Sequence, residues 1–388
     1  MINIKEAELK ILIDLFAGAG GLSYGFKLAG FNVELAIELE NNYCKTYEIN
    51  HPDSVVLSDN IRNLNPTLTV KALLNEIKIK GIIGGPPCMG FSTVGNRQLD
   101  DPRNSLIFEF IKWVKMLKPY FFLMENVNGI LSMAGGSIIE EIQEAYKKIN
   151  YSCVVKKLLA ADFGVPQLRE RIFFIGLNKN LHQDKIDFKG SNCSYFKDFY
   201  KKKKDNTSEF NYNYYTVRDA ISDILNISPI VNYRKRNENI TLEYPNPSQN
   251  EYQDYLRKKS KKIQDHIAPN HSKKVKERIS QISQGENHSS LPEKFKIRGG
   301  YPNIYGRLDL DNPADTITGN CGCVSAPGRF IHPTQNRAIS VREAARFQSF
   351  PDHYRFIGSM KEKYKQIGNA VPPLLAYAIA EKIKKIIS

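Results

Sequence analysis

Seven short apolar runs, separated by longer segments of helical character, most constrain what this chain can fold into. Each run is too short for a stable helix and apolar over its whole length, which predicts buried strands. Between them, Asn104–Lys118 carries large apolar side chains at helical spacing. The strand candidates are Ile11–Phe16, Val33–Glu38, Val55–Leu57, Gly81–Gly85, Phe121–Glu125, Tyr151–Leu158 and Arg171–Leu177.

Apolar strands that alternate with helices predict an α/β fold, a doubly wound and mostly parallel sheet with helices on both faces. Ligands of such sheets bind beyond the carboxyl ends of the strands. The residues at that edge are the acids Glu38, Asp59 and Glu125, the glycine-rich turn Ala17–Gly21 and the segment Pro86–Cys88. This combination indicates a cofactor site beside a nucleophile.

The sequence changes character after about residue 178. From there to about residue 338 it is rich in Lys, Asn, Tyr and Ser, with poor periodicity and frequent turn signals. We expect a smaller second domain of loops and short strands, with helix near Gln249–Gln264 and Ser272–Ser283. A clean amphipathic helix, Leu374–Ile387, closes the chain.

Charge and cysteine usage narrow the class of protein. The 388 residues include 55 Lys and Arg against 41 Asp and Glu, a net charge of +14. Such an excess favours a polyanionic partner, most commonly nucleic acid. The six cysteines are scattered and are expected to act singly. Without a membrane-length apolar run or a signal-peptide pattern, the expected location is the cytoplasm, with no membrane partner.

The segment Asp14-Leu-Phe-Ala-Gly-Ala-Gly-Gly21 follows the first strand and opens a helix. Its glycines let the backbone turn sharply and approach a ligand. Its spacing differs from the dinucleotide pattern G-x-G-x-x-G. Glu38, at the end of the second strand, is placed to bind the ribose hydroxyls of a nucleoside. A purely structural turn is the alternative that these residues alone leave open.

Cys88 lies in Gly84-Gly-Pro-Pro-Cys-Met-Gly-Phe-Ser92, beyond the end of a strand. A lone cysteine is more often an inert core residue than a nucleophile. Two neighbours favour the nucleophile: Glu125-Asn-Val127 ends the next strand, and Gln167-Leu-Arg-Glu-Arg171 opens a later one.

In this order the segments resemble the C5-cytosine DNA methyltransferases of bacterial restriction–modification systems. The resemblance covers the first 177 and about the last 50 residues. One departure is Asp59-Asn60-Ile61, where the family more usually has an Asp-Ile pair. The matching segments are Phe16-Ala-Gly-Ala-Gly-Gly21, Glu38, Asp59, Pro86-Pro-Cys88, Arg103-Asn-Ser-Leu106, Glu125-Asn-Val127, Gln167–Arg171, Arg342-Glu-Ala-Ala-Arg346 and Gln366-Ile-Gly-Asn-Ala-Val-Pro-Pro373.

The resemblance implies a class I, Rossmann-like methyltransferase fold. Residues 1–177, completed by 355–388, would form the catalytic domain, and residues 178–354 a target-recognition domain. The implied cofactor is S-adenosyl-L-methionine, which leaves as S-adenosyl-L-homocysteine, and no metal is expected. The implied cofactor-binding residues are Phe16, Gly18, Ala19, Gly20, Gly21, Leu22, Glu38, Asp59, Ile61, Pro87, Leu106, Asn369 and Val371.

The resemblance also implies a mechanism. The thiolate of Cys88 would add to carbon 6 of cytosine, which makes carbon 5 able to attack a methyl group. Glu125 would hold or protonate ring N3, and Arg169 would contact O2. Arg171 would position Glu125 or the phosphate backbone. The base that removes the hydrogen from carbon 5 is not identified.

Duplex DNA is the implied partner, because the cytosine must swing out of the stack into the pocket. Met89–Arg103 would close over it, and Ser92, Gln167 and Thr316 would contact DNA. Arg342–Arg346 is expected to brace the second domain. A monomer is expected, with a cognate restriction endonuclease as a functional partner.

Three other functions fit the sequence less well. The related branch that methylates transfer RNA has a short recognition region, whereas roughly 160 residues separate Arg171 from Arg342 here. A catalytically silent DNA-binding or cofactor-sensing regulator would be expected to lack Cys88, Glu125 or an arginine of Gln167–Arg171, and all are present. A dinucleotide oxidoreductase does not fit the glycine spacing.

Cys321-Gly-Cys323 with His332 lacks a second ligand pair, so zinc is not expected there.

Overall fold

The computed structural model describes residues 11–74, 78–87, 105–180, 214–231, 241–297, 299 and 301–387. Cys88, Ser92 and the predicted closing loop Met89–Arg103 lie outside these residues. By their contacts, the described residues form two units. The first holds residues 11–159, 170–180 and 376–387, and the second holds residues 160–169 and 214–375.

The first unit contains a seven-stranded sheet in the order β3-β2-β1-β4-β5-β8-β6. Parallel pairing joins β3 through β5, and β8 runs antiparallel to both β5 and β6. The strands are β1 (Ile11–Leu15), β2 (Asn32–Glu38), β3 (Val55–Ser58), β4 (Gly81–Gly84), β5 (Phe121–Asn126), β6 (Tyr151–Leu159) and β8 (Glu170–Asn178). The predicted mostly parallel sheet is confirmed, and each strand lies within a residue or two of its predicted bounds.

Strand order reverses on either side of β1, which pairs with β2 on one edge and β4 on the other. A crevice at the carboxyl ends of the strands forms at such a switch point. In register, Asp14 faces Ala36 of β2 and Ile83 of β4. The residues that follow these three strands therefore meet at one edge.

Helices separate the strands of the first unit. They are α1 (Gly21–Leu28), α2 (Asn41–Asn50), α3 (Pro66–Leu74), α4 (Ser105–Leu117) and α5 (Ser137–Lys148). Helix α4 is the segment predicted from apolar spacing: Phe110, Trp113 and Val114 are fully buried in the main core cluster. On α5, Tyr146 stacks on Phe122 of β5 with ring centroids 3.8 Å apart.

The second unit is built of short elements, as the turn-rich sequence predicted. Its strands pair two by two, β9 with β10, β11 with β13 and β7 with β12. These elements are β7 (Gln167–Leu168), α6 (Val217–Ile221), β9 (Thr241–Leu242), α7 (Glu251–Arg257), β10 (Ile263–Gln264), α8 (Lys273–Ile279), β11 (Gly306–Arg307), β12 (Ala314–Asp315), β13 (Arg329–Ile331), α9 (Val341–Phe347) and α10 (Met360–Asn369).

Helices α7 and α8 are shorter than the segments predicted for them. Asn250 and Ser272 cap their amino termini through side-chain hydrogen bonds. Helix α7 ends at Arg257, and a lysine-rich segment connects it to β10. The last helix, α11 (Pro373–Ile387), begins one residue before its predicted start. Among the described helices, none is long and apolar enough to span a membrane.

A buried ionic cluster holds the second unit together around α9. Arg346, with no exposed surface, donates to Asp223 and to Asp352, each at 2.6 Å. Tyr244 donates its hydroxyl hydrogen to Asp352 at 2.6 Å. One turn earlier, Arg342 is equally buried and donates to three backbone carbonyls. The predicted bracing role of Arg342–Arg346 is therefore confirmed.

We expect Arg346→Leu to destabilise the second unit strongly. Removing the guanidinium takes the closest cation from two buried carboxylates, and leaves Arg257 at 3.1 Å from Asp223 and Arg342 at 3.9 Å from Asp352. Breaking a buried ion pair in this way costs about 3–5 kcal/mol. The control is Arg218→Leu, because Arg218 pairs with Asp311 in an exposed ion pair and should cost less than about 1 kcal/mol. Urea denaturation measures both, and equal losses would contradict a dominant role for the cluster.

Candidate active site

The turn between β1 and α1 has an unusual backbone. Phe16, Gly18 and Gly20 have φ angles of 58°, 57° and 85°, in the left-handed region. That region is accessible to glycine and costly for phenylalanine, so the surrounding contacts must hold Phe16 there. The Ala17 N–H donates to the Ile37 carbonyl at 3.1 Å, which ties the turn to β2. Ala19, Gly20, Gly21 and Leu22 are buried beneath it.

Glu38 holds the turn from the end of β2. One carboxylate oxygen accepts the Gly18 N–H at 2.8 Å, and the other accepts the N–H groups of Leu39 and Glu40. Burial raises the pKa of Glu38, and these backbone donors oppose the shift. No heavy atom lies within 4 Å of the position a Cβ would take at Gly18. The backbone beside this carboxylate therefore has room for a ligand.

Asp59 follows β3 and is tied to the same edge by its N–H, which donates to the Glu38 carbonyl at 3.2 Å. Its carboxylate accepts the Asn60 N–H at 2.6 Å. Asn60, which stands where the resembled family more usually has an Asp-Ile pair without an insertion, accepts the Arg62 N–H through its side chain and caps a short 3-10 turn. The first residue of that turn, Ile61, is buried. Although Asn60 lies between them, Asp59 and Ile61 are both still close to the end of β3.

Asp14, a buried acid close to the β1 turn, is not among the site residues that the sequence predicted. It is buried in β1, and one oxygen accepts the Ser23 hydroxyl at 2.5 Å. Its other oxygen has no hydrogen-bond partner among the described residues. Burial raises the pKa of Asp14 to about 7. An acid inside an apolar strand, two residues before the turn, was the available signal.

Glu125 and Arg171 form an ion pair across the antiparallel strands β5 and β8. Arg171 Nε donates to Glu125 Oε1 at 3.0 Å, and both side chains are largely buried. Burial lowers the pKa of Arg171 while Glu125 raises it. The neighbouring Asn126 donates its amide to the Pro86 carbonyl at 3.1 Å. This bond fixes the start of the segment leading to Cys88 beside the end of β5.

Gly85 leaves room for the Glu125 carboxylate in its observed position. A Cβ at Gly85 would lie 2.9 Å from Glu125 Oε2, closer than real Cβ contacts come. The glycine of the Gly-Pro-Pro-Cys segment thus makes room for the carboxylate. Pro87, the next predicted cofactor residue, is exposed, and Leu106 of α4 is partly buried against the core cluster.

Gln167 and Arg169 belong to the second unit and are fully buried. The Gln167 amide donates to the carbonyl of Phe347 and to the side chain of Gln348, both at 2.9 Å. Arg169 donates to backbone carbonyls at distances of 2.8–3.0 Å, namely those of Ile317, Gly368 and Ala370. Both side chains therefore brace the backbone of this unit, a role that sequence reasoning had not given them.

The remaining predicted residues also lie in the second unit. The Thr316 hydroxyl donates to the Leu168 carbonyl at 2.8 Å, beside the β7–β12 pair. Asn369 is exposed at the end of α10, and Val371 is buried. A Cβ at Gly368 would lie 2.1 Å from the backbone of Thr318, so glycine is needed for this close approach. The roles expected of Thr316, Asn369 and Val371 stay predictions.

Comparison with known proteins identifies the family. The sequence model of the C-5 cytosine-specific DNA methylases matches residues 11–385. The chain belongs to that family. The type II methyltransferase M.DdeI of Desulfomicrobium norvegicum is 38% identical, over 96% of this chain and 88% of its own. M1.HphI of Haemophilus parahaemolyticus is 37% identical, over 96% and 86% of the two chains.

Solved structures of related proteins agree on the fold of this methylase. A candidate DNA modification methyltransferase from an Escherichia coli prophage is 30% identical, with a TM-score of 0.77. It covers 97% of this chain and 99% of its own. A DNMT2 variant of Spodoptera frugiperda, 16% identical, covers 97% and 99% with a TM-score of 0.58, which supports the fold alone. The predicted methyltransferase fold is confirmed.

The methylase family depends on S-adenosylmethionine, and the edge of the sheet fits such a nucleoside. It offers open space at Gly18, the Glu38 carboxylate beside it and the buried Asp14 oxygen without a partner. Within the described ranges, no cluster of three or more His, Cys, Asp or Glu side chains could hold a metal. Of the Cys-Gly-Cys pair, Cys321 is buried and Cys323 is exposed.

We expect Asp14 to give the methylase a pH-dependent stability. Because its folded pKa of about 7 exceeds its ordinary value of 3.8, the folded state keeps a proton that the unfolded chain has released. The resulting stability is complete below about pH 4 and is lost as the pH rises through about 7.

The measurement is urea denaturation of wild type and Asp14→Asn at several pH values in that window. The wild type should lose up to about 4 kcal/mol relative to the variant as the pH rises. A difference that stays constant with pH would show that Asp14 is ionised throughout.

We expect Gly85→Ala to slow methyl transfer about 10- to 100-fold, because the added methyl group displaces the Glu125 carboxylate from Arg171. DNA affinity should change little. The control is Gly129→Ala, whose added methyl group would lie 3.9 Å from its nearest neighbour. Steady-state kinetics on both folded variants decide the matter, and equal activity would mean that Glu125 tolerates the shift.

Proposed function

We propose that this protein is a sequence-specific DNA (cytosine-5-)-methyltransferase that acts through a covalent bond between Cys88 and the target cytosine. The observation that carries the proposal is the Glu125–Arg171 ion pair, joined through Asn126 to the Pro86 carbonyl. The pair supports the proposal because it orients a carboxylate beside Pro86, which lies two residues before Cys88 in the sequence, on a sheet whose β1 turn has room for a nucleoside.

Cys88 would supply the reactivity that cytosine lacks. Its thiolate forms a bond to carbon 6, and the electron pair of the carbon 5–carbon 6 double bond becomes available at carbon 5. Bound at the β1 turn, S-adenosylmethionine would supply an electrophilic methyl group and leave as S-adenosylhomocysteine. Loss of the carbon 5 proton then re-forms the double bond and expels the Cys88 thiolate.

Glu125 would bind N3 of the cytosine, so that charge does not accumulate on the ring during attack. Arg171 fixes the orientation of that carboxylate through its Nε–H. We also propose that Arg171 contacts O2 of the base, the role the sequence suggested for Arg169. Arg169 is fully buried, and its Nη1 and Nη2 atoms donate to three backbone carbonyls. These bonds suit a bracing role.

The cofactor would be held by the turn that contains Phe16, Gly18 and Gly20, with Glu38 on the ribose. Asp59 and Ile61 would contact the adenine, and Asn369 and Val371 would complete the site. We leave Gln167 out of the DNA-facing set because its amide is buried and fully bonded.

Duplex DNA is the proposed substrate, with the cytosine flipped out and Met89–Arg103 closing over it. The net charge of +14 supports phosphate contacts, and Thr316 and Ser92 are candidates for them. Because the relatives above are type II methyltransferases, we propose a role in protecting DNA from a cognate endonuclease. The protein would work as a monomer in the cytoplasm, on the nucleoid.

Cys88→Ala should abolish methyl transfer while DNA binding stays within a few-fold of the wild type, because only the covalent step is lost. Bisulfite sequencing of DNA from expressing cells measures the modified atom and its sequence context together. Cys323→Ala, which removes an exposed thiol, should remain fully active. Methylation by Cys88→Ala at carbon 5 would exclude the mechanism.

DNA that carries 5-fluorocytosine at the methylated site tests attack at carbon 6 directly. After methyl transfer, carbon 5 carries fluorine in place of the proton that must be removed, so Cys88 cannot be eliminated. The wild type should therefore stay covalently bound to this DNA, and Cys88→Ala should not. Methylation of normal DNA without any trapping would contradict the covalent route. Methylation of transfer RNA in place of duplex DNA would overturn the proposed substrate.

A further inference from the structure

A chain of buried polar side chains runs beneath the turn that follows β1. The Ser23 hydroxyl of α1 donates to Asp14 at 2.5 Å, and the Tyr47 hydroxyl of α2 donates to Ser23 at 2.7 Å. The imidazole of His51 then stacks on Tyr47, with ring centroids 4.3 Å apart. All four residues are at most 1% exposed. Ser23, Tyr47 and His51 have no role in the proposed mechanism.

The chain ends on the turn itself. The His51 ring forms a hydrogen bond with the backbone of Gly20, the residue at the amino-terminal cap of α1. This bond raises the pKa of the imidazole, which means that the ring donates and the carbonyl accepts. The same carbonyl accepts the Tyr24 N–H at 2.8 Å. The row of buried polar side chains therefore starts at Asp14, two residues before Phe16, and reaches the backbone again at Gly20, at the other end of the turn.

The turn needs such support. Three of its residues have positive φ, and one of them is Phe16. A strained backbone persists only where its surroundings over-determine it. From β2 the Glu38 carboxylate holds Gly18, and from α2 the His51 ring holds Gly20. The turn is thus held from two sides by groups of different chemistry.

Burying this many polar groups is costly unless each is bonded. Burial lowers the pKa of His51 to about 3 and raises the pKa of Tyr47 well above its ordinary range. Both side chains are therefore neutral in the folded protein, and each can act as a single, directed donor. An apolar cluster of the same volume would fill the space without fixing the Gly20 carbonyl.

We propose that Ser23, Tyr47 and His51 are positioning residues that hold the turn Phe16–Gly21 in its cofactor-binding conformation. The proposal rests on the proposed function for the identity of the ligand. None of the three residues need touch the cofactor; they act through Asp14 and Gly20. Their loss should weaken cofactor binding more than it weakens the fold, the chemical step or DNA binding.

Tyr47→Phe is the sharpest test, because it removes one hydroxyl and keeps the ring that stacks on His51. We expect the Kd for S-adenosylhomocysteine and the KM for S-adenosylmethionine to rise about 3- to 10-fold, the usual effect of one buried hydrogen bond. The value of kcat at saturating cofactor and the KM for DNA should stay within about twofold.

Tyr146→Phe is the matched control. Tyr146 is equally buried, stacks on Phe122, and uses its hydroxyl on Met124 in the core of the same unit. The two variants should lose similar thermal stability, while only Tyr47→Phe loses cofactor affinity. Unchanged affinity in Tyr47→Phe, or an equal loss in Tyr146→Phe, would overturn the proposal.

Rescue at His51 separates positioning from packing. His51→Ala should weaken cofactor binding, and His51→Gln, whose amide can still donate to Gly20, should recover part of it. Equal losses in the two variants would contradict the role of the donor. Titration calorimetry on the wild type distinguishes the two proposals: absence of binding to S-adenosylhomocysteine would defeat the proposed function itself, whereas wild-type binding with unaffected variants would defeat only this one.

Discussion

Parallel pairing of β1 with β2 on one side and β4 on the other is the constraint on which the site depends. It brings the ends of three strands to one edge. Glu38, the β1 turn and the Gly84–Pro87 segment, which are far apart in the sequence, therefore become neighbours. The pairing is close: a Cβ at Gly84, whose φ is +157°, would lie 2.0 Å from the Leu15 carbonyl oxygen. A single glycine thus allows β4 to approach β1 where the nucleophile segment leaves the sheet.

Sequence pattern was sufficient for the sheet because buried strands of a doubly wound fold are apolar along their whole length. The same pattern drew no attention to Asp14, since one acid in ILIDLF does not disturb an apolar run; only its place inside a buried strand, two residues before the turn, marked it. The roles of Ser23, Tyr47 and His51 could not be predicted for a related reason: these residues come close to Asp14 only when α1 and α2 pack on β1. Conversely, Gln167 and Arg169 look like surface contacts in a polar motif, and only the fold shows that their donors are used by backbone carbonyls.

Buried polar groups serve different ends in the two units. In the second unit, Arg346 joins Asp223 and Asp352, and Arg257 and Arg342 supply the further positive charge that compensates the two carboxylates. The result is a fixed scaffold for short elements. Beneath the β1 turn the groups are mostly neutral: hydrogen bonds run from Tyr47 through Ser23 to Asp14, and His51, stacked on Tyr47, donates to the Gly20 carbonyl. Compensated charge stabilises, whereas directed neutral bonds define a conformation. The Glu125–Arg171 pair combines both, because its charge is compensated and its geometry is fixed.

The bonds of Gln167 and Arg169 also bear on how such an enzyme can diversify. Their partners in the second unit are, with one exception, main-chain atoms: the Phe347, Ile317, Gly368 and Ala370 carbonyls and the Ile317 N–H. Main-chain atoms are the same in every sequence. Substitutions at Ile317, Phe347 or Ala370 can therefore change the side chain and still leave in place the carbonyl that Gln167 or Arg169 binds.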